Sequence, residues 1–190
     1  GETGDQDYPN LQNGNTKLQV SDLDDTEKVQ FPGVPCFVAG TPVTTKFGSK
    51  PVEDIKIGDE VWTHDHGLQT VRWIGSVEVD AVGHQAPIEF APGTIGNYSY
   101  LKVSPQHRVL VRGWRAELFC GADQVLVAAC HLLSEGKVRR VVGGRVCYVH
   151  MLFDQHEIVE TDGALSESLY KVCILEPKAC RLYPEPQLRR

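Results

Sequence analysis

The sequence has no long apolar run, no excess of basic charge and no closely spaced pair of cysteines. No segment approaches the roughly 20 consecutive apolar residues of a membrane-spanning helix, and the first residues lack the basic and apolar regions of a signal peptide. The sequence has 19 Lys and Arg and 25 Asp and Glu, which gives a net charge of −6. Because no positive field draws the chain to polyanions, we expect a soluble protein with neither nucleic acid nor membrane as a partner.

Cysteine usage excludes two further classes of protein. The six cysteines are too few and too scattered for a small disulfide-built domain, and no C-x-x-C pair is present to bind zinc. We therefore expect no metal and no cofactor. Disulfides between Cys120 and Cys130, or between Cys173 and Cys180, are compatible with the sequence, and the redox compartment stays open.

The 190 residues are enough for one folded domain with a single core. Residues 1–33 are polar and acidic, which is typical of a flexible leader, and residues 1–4 look like the remnant of an expression tag. Residues 34–172 form the predicted domain, which we expect to be monomeric, and residues 173–190 form a C-terminal extension.

The predicted domain has the pattern of an all-β protein. Short β-branched segments alternate with turn residues every 8 to 12 positions, and 18 Gly and 11 Pro supply the turns. The predicted hairpins join residues 60–63 to 70–74 with a turn at 65–67, and residues 138–142 to 145–149 with a turn at 143–144. Helices are predicted only at residues 115–119, 128–133 and 175–180.

Two short motifs carry residues suited to catalysis. Cys36 lies where the leader meets the core, so its thiol can reach the carbonyl of Pro35, just upstream of its own nitrogen. Ser104 and His107 are three residues apart in a strand broken by a turn, so a hydroxyl and an imidazole can converge on one amide. Either motif alone is weak, because a cysteine in an apolar run is most often part of a core.

Together and in this order, the motifs resemble the Hedgehog/intein (Hint) family, and in particular its bacterial intein-like branch. The sequence CFVAGTPV at residues 36–43 resembles the first motif of the family, and PVEDI at 51–55 and IGDEV at 57–61 follow it. Residues 104–107 resemble the Thr-x-x-His motif with Ser in place of Thr. Residues 148–157 resemble the segment where inteins often carry a catalytic aspartate.

The resemblance implies a horseshoe-like fold of many short strands with pseudo-twofold hairpins, and an activity directed once at the chain itself. Cys36 would attack the carbonyl of Pro35 in an N–S acyl shift, which converts the amide into a thioester. His107 would hydrogen-bond the scissile nitrogen and protonate the departing amine. Ser104 would orient His107 or donate to the developing oxyanion.

A base for the thiol is implied by the third motif. His150 aligns with the aspartate of the family and is the candidate, and Asp154 and His156 are alternatives because the alignment slips by a residue.

The C-terminal side departs from splicing relatives, which end in His-Asn. Glu167 and Ser168 stand at the corresponding positions, so no asparagine can cyclise and full splicing is expected to fail. Only 22 residues follow Ser168, too few for the sterol-recognition region of Hedgehog proteins. The expected reaction is cleavage before Cys36, with the upstream segment as substrate and water or a small thiol as acceptor. The ring of Pro35 is expected to slow it.

Two alternative functions remain open at this point. One is a degenerate Hint fold that acts as a binding module without cleavage. The other is a cysteine hydrolase that acts on other chains through a dyad of Cys36 and His107. The localisation is also open, and a larger secreted bacterial protein is one option for the parent.

Two further patterns have a structural interpretation. His64, Asp65 and His66 lie at a predicted turn, where exposed polarity explains them better than metal binding does. Asn97-Tyr98-Ser99 is a formal glycosylation sequon of a kind that is frequent by chance.

Overall fold

The computed structural model describes residues 35–169 of the chain. The predicted leader, the C-terminal extension, the predicted helix at 175–180 and the candidate pair of Cys173 and Cys180 lie outside the described residues. No helix within residues 35–169 is long and apolar enough to cross a membrane.

Residues 35–169 form fourteen strands and one α-helix, α1 (Trp114–Cys120), so the all-β prediction is confirmed. The strands are β1 (Phe37–Val38), β2 (Pro42–Thr45), β3 (Gly48–Pro51), β4 (Glu60–Thr63), β5 (Gly67–Thr70), β6 (Trp73–Asp80), β7 (Ile88–Phe90), β8 (Leu101–Val103), β9 (Arg108–Arg112), β10 (Gln124–Ala128), β11 (Val138–Arg140), β12 (Arg145–Leu152), β13 (Ile158–Thr161) and β14 (Ala164–Glu167). Short 3₁₀ helices occur at Val52–Asp54, Gly83–Gln85 and Ala129–His131.

The strands form two antiparallel sheets. One has six strands in the order β11-β7-β8-β1-β12-β6. The other has eight, in the order β10-β9-β14-β13-β2-β4-β5, with β3 paired to β2. Large β-branched and aromatic side chains from both sheets share one core, to which Phe37, Val43, Phe90, Val109 and Val159 belong. Burying this apolar surface is the main driving force for the fold.

The long strand β12 lies inside the six-stranded sheet and organises the site. It pairs with β6 over eight residues, from Arg145 opposite Asp80 to Leu152 opposite Trp73. On its other edge it pairs with β1. Because β12 has neighbours on both edges, its second half from Tyr148 onward is buried throughout. A polar side chain in this strand, such as His150, is therefore held in the interior.

Both predicted hairpins need correction. The first turn forms, but the strand that returns is β5, and Trp73–Asp80 belongs to the other sheet as β6. The second hairpin does not form. Gly143 and Gly144 have positive φ values of 107° and 70° and reverse the chain, yet β11 pairs with β7 and β12 pairs with β6 and β1. A glycine turn predicts where the chain reverses and does not settle which strand becomes the partner.

The helix predictions are confirmed in one case and corrected in another. The prediction at residues 115–119 agrees with α1. Residues 128–133 do not form a helix of that length, because Ala128 ends β10 in extended backbone and only Ala129–His131 forms a 3₁₀ turn.

The predicted turn at residues 64–66 is docked against the segment before β13. Asp65 Oδ2 accepts a hydrogen bond of 3.0 Å from the backbone N–H of Ile158. His66 Nδ1 lies 3.0 Å from Oε2 of Glu157, whose side chain is buried, and this contact raises the pKa of His66. These polar residues hold two parts of the eight-stranded sheet together.

Asn97, the acceptor residue of the formal sequon, is buried. Its side-chain amide donates to the backbone carbonyls of Phe90, Ala91 and Ser99. The structural interpretation of this triplet therefore agrees with the geometry, since an amide used in this way holds the loop between β7 and β8.

Candidate active site

The position of β1 between β8 and β12 brings the separate sequence motifs together. Phe37 pairs with Val103 of β8 on one side and with Val149 of β12 on the other. Ser104 directly follows β8, and His150 is the next residue of β12. Both therefore lie beside Cys36, the residue that precedes β1.

Ser104 makes contacts to both backbone polar groups of Cys36. The N–H of Cys36, which is the scissile nitrogen, donates to Ser104 Oγ at 3.0 Å, and the N–H of Ser104 donates to the carbonyl of Cys36 at 2.9 Å. Burial raises the pKa of the Cys36 thiol, and a hydrogen bond with the Ser104 hydroxyl partly opposes this shift. One hydroxyl thus touches the attacking atom and the leaving nitrogen.

The Ser104–His107 turn is rigid for reasons that the sequence explains. The N–H of His107 donates to the carbonyl of Ser104 at 3.0 Å, and Pro105 occupies the second turn position, where its fixed φ is favourable. From outside, the N–H of Ala129 donates to the carbonyl of His107 and that of Cys130 to the carbonyl of Pro105, each at 2.9 Å. The turn is therefore held by its own hydrogen bond and by two bonds from the 3₁₀ helix Ala129–His131.

His107 is placed differently from the expectation. Its imidazole is fully buried, with the ring 4.5 Å from that of Phe37 in an edge-on arrangement. Among the described residues, neither ring nitrogen has a hydrogen-bond partner, and the scissile N–H is bonded to Ser104 instead. Burial and the neighbouring His150 lower the pKa of His107 to about 3, against a smaller opposing effect of the Cys36 backbone. His107 is thus neutral at pH 7.

His150 lies directly between the thiol and the carbonyl that the thiol would attack. Its Nε2 is 3.2 Å from Cys36 Sγ, and its Nδ1 is 3.0 Å from the carbonyl oxygen of Pro35. The side chain is 1% exposed. Burial lowers the pKa of His150 to about 4, and the contact with the Pro35 carbonyl opposes this shift. A neutral imidazole in contact with a thiol is a competent base.

The thiol itself is enclosed by an apolar wall. Cys36 is 2% exposed and packs with Ala81, Ala86, Val146 and Tyr148. Burial strongly raises the pKa of the thiol, since a thiolate would lose its hydration. Cys36 is therefore protonated at neutral pH and needs a base within contact distance to become a nucleophile.

The two alternative bases lie elsewhere. Asp154 is exposed and pairs with Arg72 at 2.7 Å. His156 Nε2 lies 3.4 Å from Oε2 of Glu167. The imidazole that contacts the thiol is that of His150, so a dyad of Cys36 with His107, as required by the hydrolase alternative, is not the arrangement observed.

The end of the domain returns to the same place. Glu167 Oε1 accepts the N–H of Arg108 at 3.1 Å, and Ser168 Oγ accepts the N–H of Glu157 at 2.9 Å. The N–H of Leu169 then donates to the carbonyl of Met151, the neighbour of His150, at 3.1 Å. Pro35 and Leu169 thus contact adjacent residues of β12.

Two contacts in the structure, one of them in the site, had no signal in the sequence. The contact between His150 and the Pro35 carbonyl joins residues 115 positions apart. The pairing of His66 with Glu157 joins residues 91 positions apart. Either contact depends on which strands become neighbours, and residue spacing does not carry that information.

Two antiparallel sheets, with a cysteine before the first strand whose thiol and upstream carbonyl contact the same imidazole, define an all-β domain of the intein type. The chain belongs to the Hint domain family, since the model of that family matches residues 35–172. Membership in this family supports a function of the autoprocessing or protein-splicing type, which acts on the polypeptide that flanks the domain. A comparison with curated protein sequences finds no match.

Solved structures of inteins and intein-like domains are similar to this chain. The TvoVMA intein is 12% identical, with a TM-score of 0.51 over 71% of this chain and 98% of that chain. The bacterial intein-like domain from Clostridium thermocellum is 18% identical, with a TM-score of 0.47 over 72% of this chain and 98% of that chain. A splice-inactive variant of the AceL NrdHF class 3 split intein is 17% identical, with a TM-score of 0.47 over 72% and 98%.

Proposed function

We propose that this domain cleaves its own chain once, through an N–S acyl shift at Pro35–Cys36, and releases the upstream segment without splicing. The observation that carries this proposal is the position of the Cys36 thiol. It lies 3.2 Å from a neutral imidazole whose other nitrogen is 3.0 Å from the oxygen of the carbonyl to be attacked. The base is thus in contact with the nucleophile and with the electrophile before any reaction occurs.

The first step is attack by the thiol. His150 Nε2 takes the Sγ proton as the sulfur bonds to the carbonyl carbon of Pro35, which generates a tetrahedral intermediate. Because free thiolate is disfavoured by burial, proton removal and attack must be closely coupled. Collapse of the intermediate breaks the C–N bond and leaves a thioester with a free amine on Cys36.

The leaving nitrogen needs a proton, and Ser104 is best placed to deliver it. Its hydroxyl contacts the scissile nitrogen and the sulfur that His150 deprotonates, so it can give its own proton to the nitrogen and take back the proton that His150 holds. His107, held by the same turn, is neutral. Its part in this proposal is to hydrogen-bond the new amine after the C–N bond has opened.

The final acceptor is water or a small thiol that attacks the thioester. Pro35 and Cys36 are both buried, so an acceptor must wait for local opening of the site. This supports a slow reaction whose rate depends on acceptor concentration. It also disfavours a hydrolase that acts on other chains, since a foreign peptide would have to enter the same enclosed space.

The bond after the domain is expected to survive. Cyclisation requires a side-chain carboxamide poised on its own backbone carbonyl. Glu167 carries a carboxylate held by the N–H of Arg108, and Ser168 carries a hydroxyl held by the N–H of Glu157. Neither side chain has a carboxamide nitrogen, which supports cleavage at the upstream junction alone.

A chain with a different reporter protein at each end tests this proposal. On incubation with dithiothreitol we expect release of the N-terminal reporter, with the C-terminal reporter still attached to a species that begins at Cys36. Intact mass measures both products. Two other results would contradict the proposal: a ligated pair of reporters with the domain excised, or an uncleaved chain in which the thiol is intact.

The hydroxyl of residue 104 is expected to set the rate of the acyl shift. Ser104→Ala removes the acceptor of the scissile N–H, and we expect thiol-induced cleavage to slow by about 10²-fold, the lower range for a lost proton-transfer group. Ser104→Thr keeps the hydroxyl and serves as the matched control, with cleavage near the parent rate. Equal rates for Ser104→Ala and the parent would show that the hydroxyl only stabilises the turn.

A further inference from the structure

The two nitrogens of His150 face two different reacting groups, and this geometry assigns more than a base to that residue. We propose that His150 also acts as the oxyanion-binding group of the acyl shift, with Nδ1–H donating to the Pro35 oxygen while Nε2 takes the thiol proton. The inference rests on the proposed function and names how the scissile carbonyl is activated. It follows from the 3.0 Å and 3.2 Å contacts of one buried ring.

The chemistry of the two partners determines which nitrogen carries the hydrogen. The carbonyl oxygen of Pro35 can only accept a hydrogen bond, so Nδ1, 3.0 Å away, must be the donor. A neutral imidazole has one N–H, which leaves the lone pair on Nε2, 3.2 Å from Sγ. The ring is therefore in the tautomer that serves both purposes before the reaction begins.

One proton transfer then strengthens both interactions. When Nε2 takes the thiol proton, the ring becomes an imidazolium just as the Pro35 oxygen gains negative charge. Nδ1–H then makes a charge-assisted hydrogen bond to that oxygen. The new bond is Sγ–C and the broken bond is C–N, and His150 returns the thiol proton through the Ser104 hydroxyl to the departing nitrogen. The step is an isomerisation, and it needs no further reactant.

Burial explains why this contact has a large effect. His150 is 1% exposed and Cys36 is 2% exposed, so water contributes little to stabilising the oxyanion. In such a setting a preorganised donor stabilises the transition state far more than it would in water. The same burial holds the pKa of His150 low, so the proton is bound only while the negative charge is present.

Two variants separate the roles of the two nitrogens. In His150→Asn the side-chain amide nitrogen lies where Nδ1 lay, so the donor to Pro35 is kept and the base is lost. In His150→Gln it lies where Nε2 lay, so the donor to the carbonyl is lost as well. Both lack a base, so their difference reports the carbonyl contact. We expect dithiothreitol-induced cleavage of His150→Gln to be about 10²- to 10³-fold slower than that of His150→Asn.

A second measurement reads the hydrogen bond without any reaction. Pro35–Cys36 is the only Pro-Cys step in the sequence, so labelling with ¹³C-carbonyl proline and ¹⁵N-cysteine gives one signal in an HNCO spectrum. We expect the carbonyl shift of the parent and of His150→Asn to lie downfield of that of His150→Gln. The ¹⁵N spectrum of labelled histidine should show a protonated Nδ1 in His150.

The outcomes distinguish this inference from the proposed function. Equal carbonyl shifts and equal cleavage rates in the Asn and Gln variants would overturn the oxyanion role, while cleavage by the parent would leave the acyl shift standing. A parent chain that shows the shifted carbonyl signal but is not cleaved by dithiothreitol would overturn the proposed function, and with it the catalytic role of the contact. A downfield carbonyl shift in the parent and in His150→Asn, together with slower cleavage of His150→Gln, supports both the oxyanion role and the acyl shift.

Discussion

Cys36→Ala is expected to abolish thiol-induced cleavage completely and to leave the fold in place. The variant removes the thiol that His150 Nε2 contacts at 3.2 Å, and with it the nucleophile of the proposed acyl shift. The loss of one small buried atom should lower the free energy of unfolding by about 1 kcal/mol. Intact mass after incubation with dithiothreitol measures the first effect, and urea unfolding measures the second.

Cys130→Ala provides the matched control for this variant. Cys130 is a free thiol that is half-buried beside the Ser104–His107 turn. Its replacement should leave both the cleavage rate and the position of the cut unchanged. Cleavage that persisted in Cys36→Ala at the parent rate would remove the thioester from the mechanism.

The domain is expected to lose several kcal/mol of stability between pH 6.5 and pH 4. His107 and His150 have pKa values lowered from 6.5 to about 3 and about 4. Because the folded state keeps both rings neutral, their stabilising effect is complete above pH 6.5. It is lost as the pH falls, because the unfolded chain then binds protons that the folded chain cannot. Each unit of pKa shift corresponds to about 1.4 kcal/mol, so His150 alone accounts for a loss of about 3 kcal/mol in the free energy of unfolding.

Urea unfolding at a series of pH values measures this loss. His150→Leu and His107→Leu should each flatten the dependence, since each removes one suppressed proton site. His84→Ala is the control, because His84 is exposed on the 3₁₀ turn Gly83–Gln85 and its replacement should leave the slope unchanged. A parent protein equally stable at pH 6.5 and pH 4 would show that the two rings are hydrated in solution.

His66 is expected to act in the opposite direction. Its pKa is raised by Glu157, so the stabilising contact is complete below pH 6.5 and is lost as the pH rises through the raised value. Stability is therefore expected to fall below pH 6.5 because of the two buried histidines, and to fall above the raised pKa of His66 because its contact with Glu157 is lost. His66→Ala should remove only the decline on the alkaline side.

The sequence predicted the class of fold better than it predicted the pairing of strands. Alternating short apolar segments and glycine turns are local features, and they predicted an all-β domain correctly. The predicted partner of β11 was wrong for a physical reason. Strand choice depends on which edges the rest of the sheet leaves open, and no turn residue encodes this.

The roles within the site show the same limit. Cys36, Ser104, His107 and His150 were chosen from motif order, and the structure brings them to one place. The partner of the scissile N–H was assigned to His107 from the resemblance, and it is Ser104 in the structure. Which of these two side chains contacts the amide depends on the backbone geometry of the turn around Pro105. A motif does not specify that geometry.

The adjacency of Pro35 and Leu169 along β12 bears on how such a domain can be carried by a host protein. Pro35 contacts His150, and Leu169 bonds to the next residue, Met151. Two residues that contact adjacent positions of one strand lie close in space, so the folded segment between them adds little separation between the sequences on either side of it. A surface loop of an unrelated protein could therefore accept residues 35–169 as an insertion without its own strands being pulled apart.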